Sequence, residues 1–207
     1  TRGENPDFYI LGNTSEGEVL ENGLKYQVNW ETGQKTGMFI DQRDNRKLLS
    51  EISKDKKVLN SFCYTGGFSL SALAGGAAKV VSVDSSASAL ELTRKHVELN
   101  GFSSTSHEVI EADCFKALND LVADFDIVVI DPPALAKRRP SVPQALKGYY
   151  GLNRGVFERV VSGTLVMTFS CSAHVTMEDF RTTIYKAAIS AKREVRIIKI
   201  LGPGLDH

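Results

Sequence analysis

The sequence predicts an α/β protein: a doubly wound, mainly parallel sheet with helices on both faces, preceded by a small β-hairpin. Three observations carry that expectation. From residue 57 onward, short apolar runs alternate with amphipathic stretches of helical period. Runs such as Ile127-Val128-Val129-Ile130 are apolar on both faces, as strands covered by helices on both sides must be. Turn residues such as Asn100-Gly101 fall where the helical stretches stop.

Each element follows in order. Over residues 18–40, Leu24, Tyr26, Val28 and Trp30 recur at period two between Asn22-Gly23 and Thr32-Gly33, which predicts a hairpin. "KTGMFI" reads as a further strand, and Asp41 as the N-cap of a helix over "QRDNRKLLSEIS" with Leu48, Leu49 and Ile52 on its apolar stripe. Strands are then predicted at "KVLNSFC", "KVVSVD", "HEVIEAD", "FDIVVIDPP", "GTLVMTFS" and "REVRIIKIL". Helices are predicted at "GGFSLSALAGGA", "SASALELTRKHVELN", "CFKALNDLVA", residues 149–161 and residues 176–191. The expected division is a hairpin and linker segment, 1–40, ahead of the main domain, 41–207.

Composition bounds the function. The 207 residues suffice for one substantial domain, and 25 basic against 25 acidic residues leave no global field for a nucleic acid or a membrane. A nucleic-acid role must therefore rest on a local patch. No apolar run reaches the roughly 18–20 residues of a membrane span, and no secretory signal opens the chain. Cys63, Cys114 and Cys171 are odd in number and widely spaced, which suits neither a disulfide framework nor a metal cluster. Reduced thiols, no metal and a cytoplasmic location are the expectation. The start at Thr1 and the stop after "ILGPGLDH" suggest that a longer protein continues at both ends.

In a doubly wound sheet, ligands bind beyond the carboxyl ends of the strands, so the residues that follow each strand matter most. After the first comes "YTGGFS" (Tyr64, Thr65, Gly66, Gly67): either a tight turn that needs glycine or a loop whose backbone approaches a ligand. It is not G-x-G-x-x-G, which disfavours a dinucleotide. After the second stand Asp84 and Ser85; seventeen positions beyond Gly67, the carboxylate suits the two hydroxyls of a ribose better than a plain helix N-terminal acid. Asp113 follows the third, with Cys114 and Phe115 beside it; it can take an adenine amino group or simply cap a helix. After the fourth, Asp131-Pro132-Pro133 locks the backbone that aims the acid.

Together these edges resemble the class I S-adenosylmethionine-dependent methyltransferases, a Rossmann-like family. That cofactor offers a ribose, an adenine and an amino-acid end, and no phosphate. "KTGMFIDQRDNR", "NSFCYTGGFSLSALAGGAAKVVSVDSSASALE", "DPPALAK", "KGYYGLN" and "TFSCS" are similar to the large-subunit ribosomal RNA cytosine-C5 methyltransferases, over roughly residues 18–207. The resemblance implies S-adenosyl-L-methionine as cofactor, large-subunit ribosomal RNA as partner, and an RNA-binding PUA domain before the hairpin. It also implies a final antiparallel strand that this chain lacks, leaving "REVRIIKIL" without a neighbour. Gln42 would reach the methionine end, and Phe62 and Tyr64 would wall the cofactor.

Cytosine C5 is too poor a nucleophile to attack a sulfonium methyl unaided, so a thiolate must first add to C6. Cys171 ends the fifth strand beside the predicted position of Asp131, which, held protonated by burial, would hydrogen-bond or protonate N3. Cys171 is the expected nucleophile; Cys63 and Cys114 are expected to pack or to wall the cofactor. Lys137, Arg138 and Arg139 follow the Asp131-Pro132-Pro133 edge and, with Pro133, are the expected RNA contacts. A guanine-N7 methyltransferase is the near rival and needs no cysteine. Ala134, where an aromatic would stack a base, weakens an exocyclic-amine reading. A nicotinamide-dependent oxidoreductase and a non-catalytic RNA-binding module are more distant. No segment carries a dimerisation pattern that would set the oligomeric state, and recognition of the target nucleotide is expected to fall to the implied PUA domain.

Overall fold

The computed structural model describes residues 14–31, 33 and 37–204. The predicted linker before Thr14, Thr32, the residues 34–36 that include the start of "KTGMFI", and the terminal "LDH" lie outside the described residues.

The described residues open with the expected hairpin. Strands β1 (Glu16–Glu21) and β2 (Leu24–Asn29) pair antiparallel, Glu21 opposite Leu24. Asn22 and Gly23 both take positive φ, 50° and 80°, the two-residue turn whose twist matches the strands. Leu24, Tyr26 and Val28 turn inward onto Leu70. Trp30 falls just outside β2; its ring lies over Gly17, where a side chain would collide with it.

Two expectations fail at the next step. Among the described residues of "KTGMFI" there is no strand: Gly37 has φ +94° and Ile40–Gln42 forms a 3-10 turn. Asp41 sits inside that turn and does not cap the helix α1 (Arg43–Ile52), whose N-cap is Gln42 without a side-chain cap bond. The Gln42 side chain is bonded instead to Asn45 and Asp131.

The rest is the predicted alternation. Strands β3 (Lys57–Ser61), β4 (Lys79–Asp84), β5 (His107–Glu111), β6 (Ile127–Ile130) and β7 (Leu165–Thr168) form one parallel sheet in the order β5-β4-β3-β6-β7. Helices α2 (Gly67–Ala74), α3 (Ala87–Leu99), α4 (Cys114–Leu121), α5 (Val142–Arg159) and α6 (Met177–Ser190) cover it. Successive side chains of β6 serve opposite cores: Ile127 and Val129 pack with α1, α2 and Val97 of α3, Val128 and Ile130 with α4 and α5. The unbroken apolar run therefore marks a strand buried on both faces.

Helix α5 starts seven residues before the predicted 149, with Pro143 in its first turn, where a missing N–H costs nothing. Gly148, Gly151 and Gly155 dilute its pattern, yet Gly155 is a contact: a Cβ there would lie 2.2 Å from Asn119 Oδ1 of α4. The predicted sixth strand is not one. Residues 193–201 pair with no strand among the described residues, and Ile198 and Ile200 are exposed. Between this segment and β7 lies a cavity of about 1500 Å³ that reaches Cys171, Lys137 and Gln42. Among the described residues no helix is long and apolar enough to cross a membrane.

The chain order reverses between β3 and β6, since β3-β4-β5 runs one way and β6-β7 the other. In such sheets ligands bind at the switch point, and the segments that carry Gly66-Gly67 and Asp131 leave the neighbouring strands β3 and β6 on either side of it.

Candidate active site

On the β3 side, the loop after Ser61 is conformationally extreme. Phe62, Tyr64 and Gly66 all take positive φ, 57°, 49° and 81°. Non-glycine residues there persist only when their surroundings hold them, and the holders are visible. Asp84 Oδ2 accepts from Tyr64 N at 2.9 Å, Cys114 Sγ from Phe62 N at 3.3 Å, and Thr93 Oγ1 donates to the Tyr64 carbonyl at 3.1 Å. Gly66 is required: a Cβ there would lie 2.5 Å from Thr93 Cγ2.

This loop fits the amino-acid end of S-adenosylmethionine. Gly66 caps α2 without a side-chain acceptor, so the first N–H groups of the helix remain available to a carboxylate. Asp84, half-buried at the end of β4, accepts from Tyr64 N and from Ser86 N at 3.0 Å, one bond on each oxygen. Each carboxylate oxygen keeps a further acceptor site, enough for two ribose hydroxyls. Ser85 is exposed beside it. Asp113 caps α4 by accepting from Phe115 N at 3.0 Å, as the plainer expectation held, and remains exposed. Phe62 and the exposed Phe115 meet edge to face at 5.2 Å, an aromatic wall at the same strand ends.

On the β6 side, Asp131 and Cys171 follow the neighbouring parallel strands β6 and β7. Phe169 N donates to Ile130 O at 2.9 Å, keeping β6 and β7 in register to their ends. Cys171 Sγ then lies 3.4 Å from the Pro132 carbonyl, and Cys171 is exposed. Pro132 is buried and Pro133 exposed. Burial first, and then the carboxylate of Asp41, push Asp131 up to about 7, against the opposing charge of Arg46. Gln42 Nε2 donates to Asp131 Oδ1 at 3.4 Å and Asn45 donates to Gln42 Oε1 at 2.7 Å, so Gln42 faces the acid.

The three thiols separate by environment. Burial holds Cys63 well above the ordinary thiol range and pushes Cys114 up to about 11, so both stay protonated and inert. Cys171 alone of the three is exposed, at the sheet edge. Lys137, Arg138 and Arg139 are exposed, and Lys137 borders the cavity that reaches Cys171.

Several residues here carry no sequence signal of their own. Ser172 is buried; its Oγ accepts from Ala136 N at 3.0 Å and bonds the hydroxyl of fully buried Tyr149 at 2.9 Å, fastening the loop after Asp131 to the end of β7. Arg46 and Glu21 form a buried bidentate pair, both bonds 2.6 Å. The "SCS" and "KGYYGLN" motifs were visible; that Ser172 and Tyr149 meet was not, because 23 residues separate them.

A family model of S-adenosylmethionine-dependent methyltransferases matches residues 8–186, and the chain belongs to that family. Among curated relatives, Ribosomal RNA large subunit methyltransferase I of Aeromonas salmonicida is 39% identical over 192 residues, covering 91% of this chain and 48% of that protein. The chain spans about half the length of the curated relatives it matches. A solved structure described as a methyltransferase complexed with SAH superposes with a TM-score of 0.76 at 33% identity, covering 87% of this chain and 48% of that one. Another, a SAM-dependent methyltransferase from Streptococcus mutans, has the same TM-score and coverage at 31% identity.

Proposed function

We propose that this chain is the methyltransferase domain of an enzyme that forms 5-methylcytosine in large-subunit ribosomal RNA, with Cys171 as nucleophile. The observation that carries the reading is the exposed Cys171 thiol 3.4 Å from the Pro132 carbonyl, beside a carboxyl that burial keeps protonated up to about pH 7. The names of the curated relatives support ribosomal RNA as the substrate class.

S-adenosylmethionine, when bound, supplies an electrophilic methyl group. Tyr64, Thr65, Gly66 and Gly67 would hold its amino-acid end, Asp84 and Ser85 its ribose, and Phe62, Asp113 and Cys114 its adenine, with Gln42 and Pro132 at the reacting edge. Cys171 thiolate forms a bond to C6 of the base while Asp131 gives its proton to N3, and the C5–C6 double-bond electrons move to C5. C5 would take the methyl, with S-adenosylhomocysteine as the leaving group; the C5 proton then passes to solvent as the sulfur–C6 bond breaks to return the thiolate, and N3 gives its proton back to the Asp131 carboxylate. Lys137, Arg138 and Arg139, with Pro133, would lie along the RNA backbone, where cations position without reading sequence.

The test is covalent trapping. The protein is incubated with S-adenosylmethionine and ribosomal RNA carrying 5-fluorocytidine, whose fluorine cannot leave as a proton does. A denaturing gel should show a protein–RNA adduct that vanishes in Cys171→Ala. Methyl transfer to ordinary RNA with no adduct would favour guanine N7 and return Cys171 to a packing role.

The acid adds a pH signature. Asp131 must carry its proton to act, so single-turnover transfer should fall as pH rises through about 7. Asp131→Asn, which cannot titrate, should be slower and should lose that alkaline limb. An unchanged limb in the asparagine variant would remove Asp131 from the role.

A further inference from the structure

The outer edge of β2 is paired with side chains of α3 where a third strand would otherwise lie. Asn100, the C-cap of α3, accepts from Lys25 N and donates to Lys25 O, both at 2.8 Å, the exchange that an antiparallel strand residue would make. One turn earlier, His96 meets the next outward-facing residue: its Nε2 lies 3.0 Å from Gln27 N and 3.0 Å from Gln27 O. The match is geometric. One helical turn rises about 5.4 Å, and two strand residues about 6.8 Å, so side chains four apart on a helix reach backbone groups two apart on a strand.

His96 also faces the other way. Its Nδ1 lies 2.8 Å from the carbonyl oxygen of Thr65, in the middle of the strained Tyr64–Gly67 loop. The Thr65 carbonyl can only accept, so Nδ1 carries a proton, while Nε2 faces both the N–H and the carbonyl of Gln27. His96 is 1% exposed, and burial lowers its tendency to take a second proton. Thr93, one turn before it, donates to the Tyr64 carbonyl. Two successive loop carbonyls are thus held from one helix face, and one holder is at the same time bonded to the hairpin.

We propose that His96 is a positioning residue of the cofactor site, through which the β1–β2 hairpin sets the conformation of the Tyr64–Gly67 loop. This rests on that loop holding the amino-acid end of S-adenosylmethionine. The imidazole is a rigid spacer of fixed length between Gln27 N and Thr65 O. When the hairpin is docked, the Thr65 carbonyl is drawn toward α3 and the α2 N-terminus is left facing the ligand. When it is not, the positive-φ residues of the loop lose one of their holders and relax toward commoner conformations.

The experiment measures binding of S-adenosylhomocysteine by calorimetry to the full chain and to four variants, with thermal unfolding in parallel. Asp84→Asn tests the underlying reading, and should weaken binding about tenfold or more through the lost charged acceptor. His96→Ala should weaken it by about tenfold, the worth of a buried hydrogen bond. Asn100→Ala, which touches the hairpin and not the loop, should weaken it by about threefold. In His96→Ala/Asn100→Ala the second change should add nothing, because the link it acts through is already cut. A simple loss of packing would not produce that non-additivity. Wild-type affinity in a folded His96→Ala overturns the proposal, and so do fully additive effects. Wild-type affinity in Asp84→Asn removes the cofactor-loop reading itself, a separate failure. Should His96→Ala not fold, Asn100→Ala decides alone: weakened binding supports the link, unchanged binding overturns it.

Discussion

Cys171→Ala should reduce methyl transfer by about four orders of magnitude or more, the scale on which loss of a covalent nucleophile acts. Affinity for S-adenosylhomocysteine should stay within about threefold. The two outcomes separate because Cys171 lies just beyond the end of β7, hydrogen-bonded to the Pro132 carbonyl, while the glycine loop follows β3 and Asp84 ends β4. The side chain is exposed, so its truncation should change stability by no more than about 0.5 kcal/mol. Cys63→Ala provides the contrast: that thiol is buried and held protonated, and its loss should cost about 1 kcal/mol of stability with transfer intact. Single-turnover rates with ribosomal RNA, together with calorimetry, check both. Turnover by Cys171→Ala near the wild-type rate would end the covalent mechanism.

What the sequence made legible depends on the range of the interaction concerned. Strand and helix order followed from local periodicity, and the strand-end residues Gly66, Asp84, Asp131 and Cys171 could be placed on one edge by topology alone. The structure puts each of them there. "KTGMFI" misled because its composition suits a strand, whereas Gly37 at positive φ and the turn at Ile40–Gln42 bend the chain toward Asp131. "REVRIIKIL" has the residues of a strand, but a strand needs a neighbour, and none of the described residues supplies one. Residues acting across long separations were silent. His96 is one polar position on an amphipathic helix, and only the fold sets it between Gln27 and Thr65, 69 and 31 residues away.

Glu21→Leu should destabilise the domain by about 3–5 kcal/mol, because it leaves a guanidinium buried without its counter-charge. Arg46 is 3% and Glu21 9% exposed, and the two nitrogens of Arg46 reach the two oxygens of Glu21 at 2.6 Å each, while a third donates to the Phe39 carbonyl. That pair joins the end of β1 to α1 and to the turn that carries Asp41 and Gln42. For a chain of this size the loss corresponds to a fall in Tm of about 10 °C, measurable by calorimetry. Glu21→Leu/Arg46→Met should recover most of it, since removing both charges removes the desolvation cost along with the attraction. The double variant would nonetheless not be silent. Arg46 is the charge that holds the Asp131 carboxyl down against burial and Asp41. Without it Asp131 should keep its proton to higher pH, and the alkaline limb of the transfer rate should move upward from about 7 in a protein whose stability is close to normal. A recovered Tm with an unmoved limb would mean that the pair serves the fold alone. A recovered Tm with a displaced limb would make Glu21 and Arg46 both a clasp for the hairpin and a control on the acid beside Cys171.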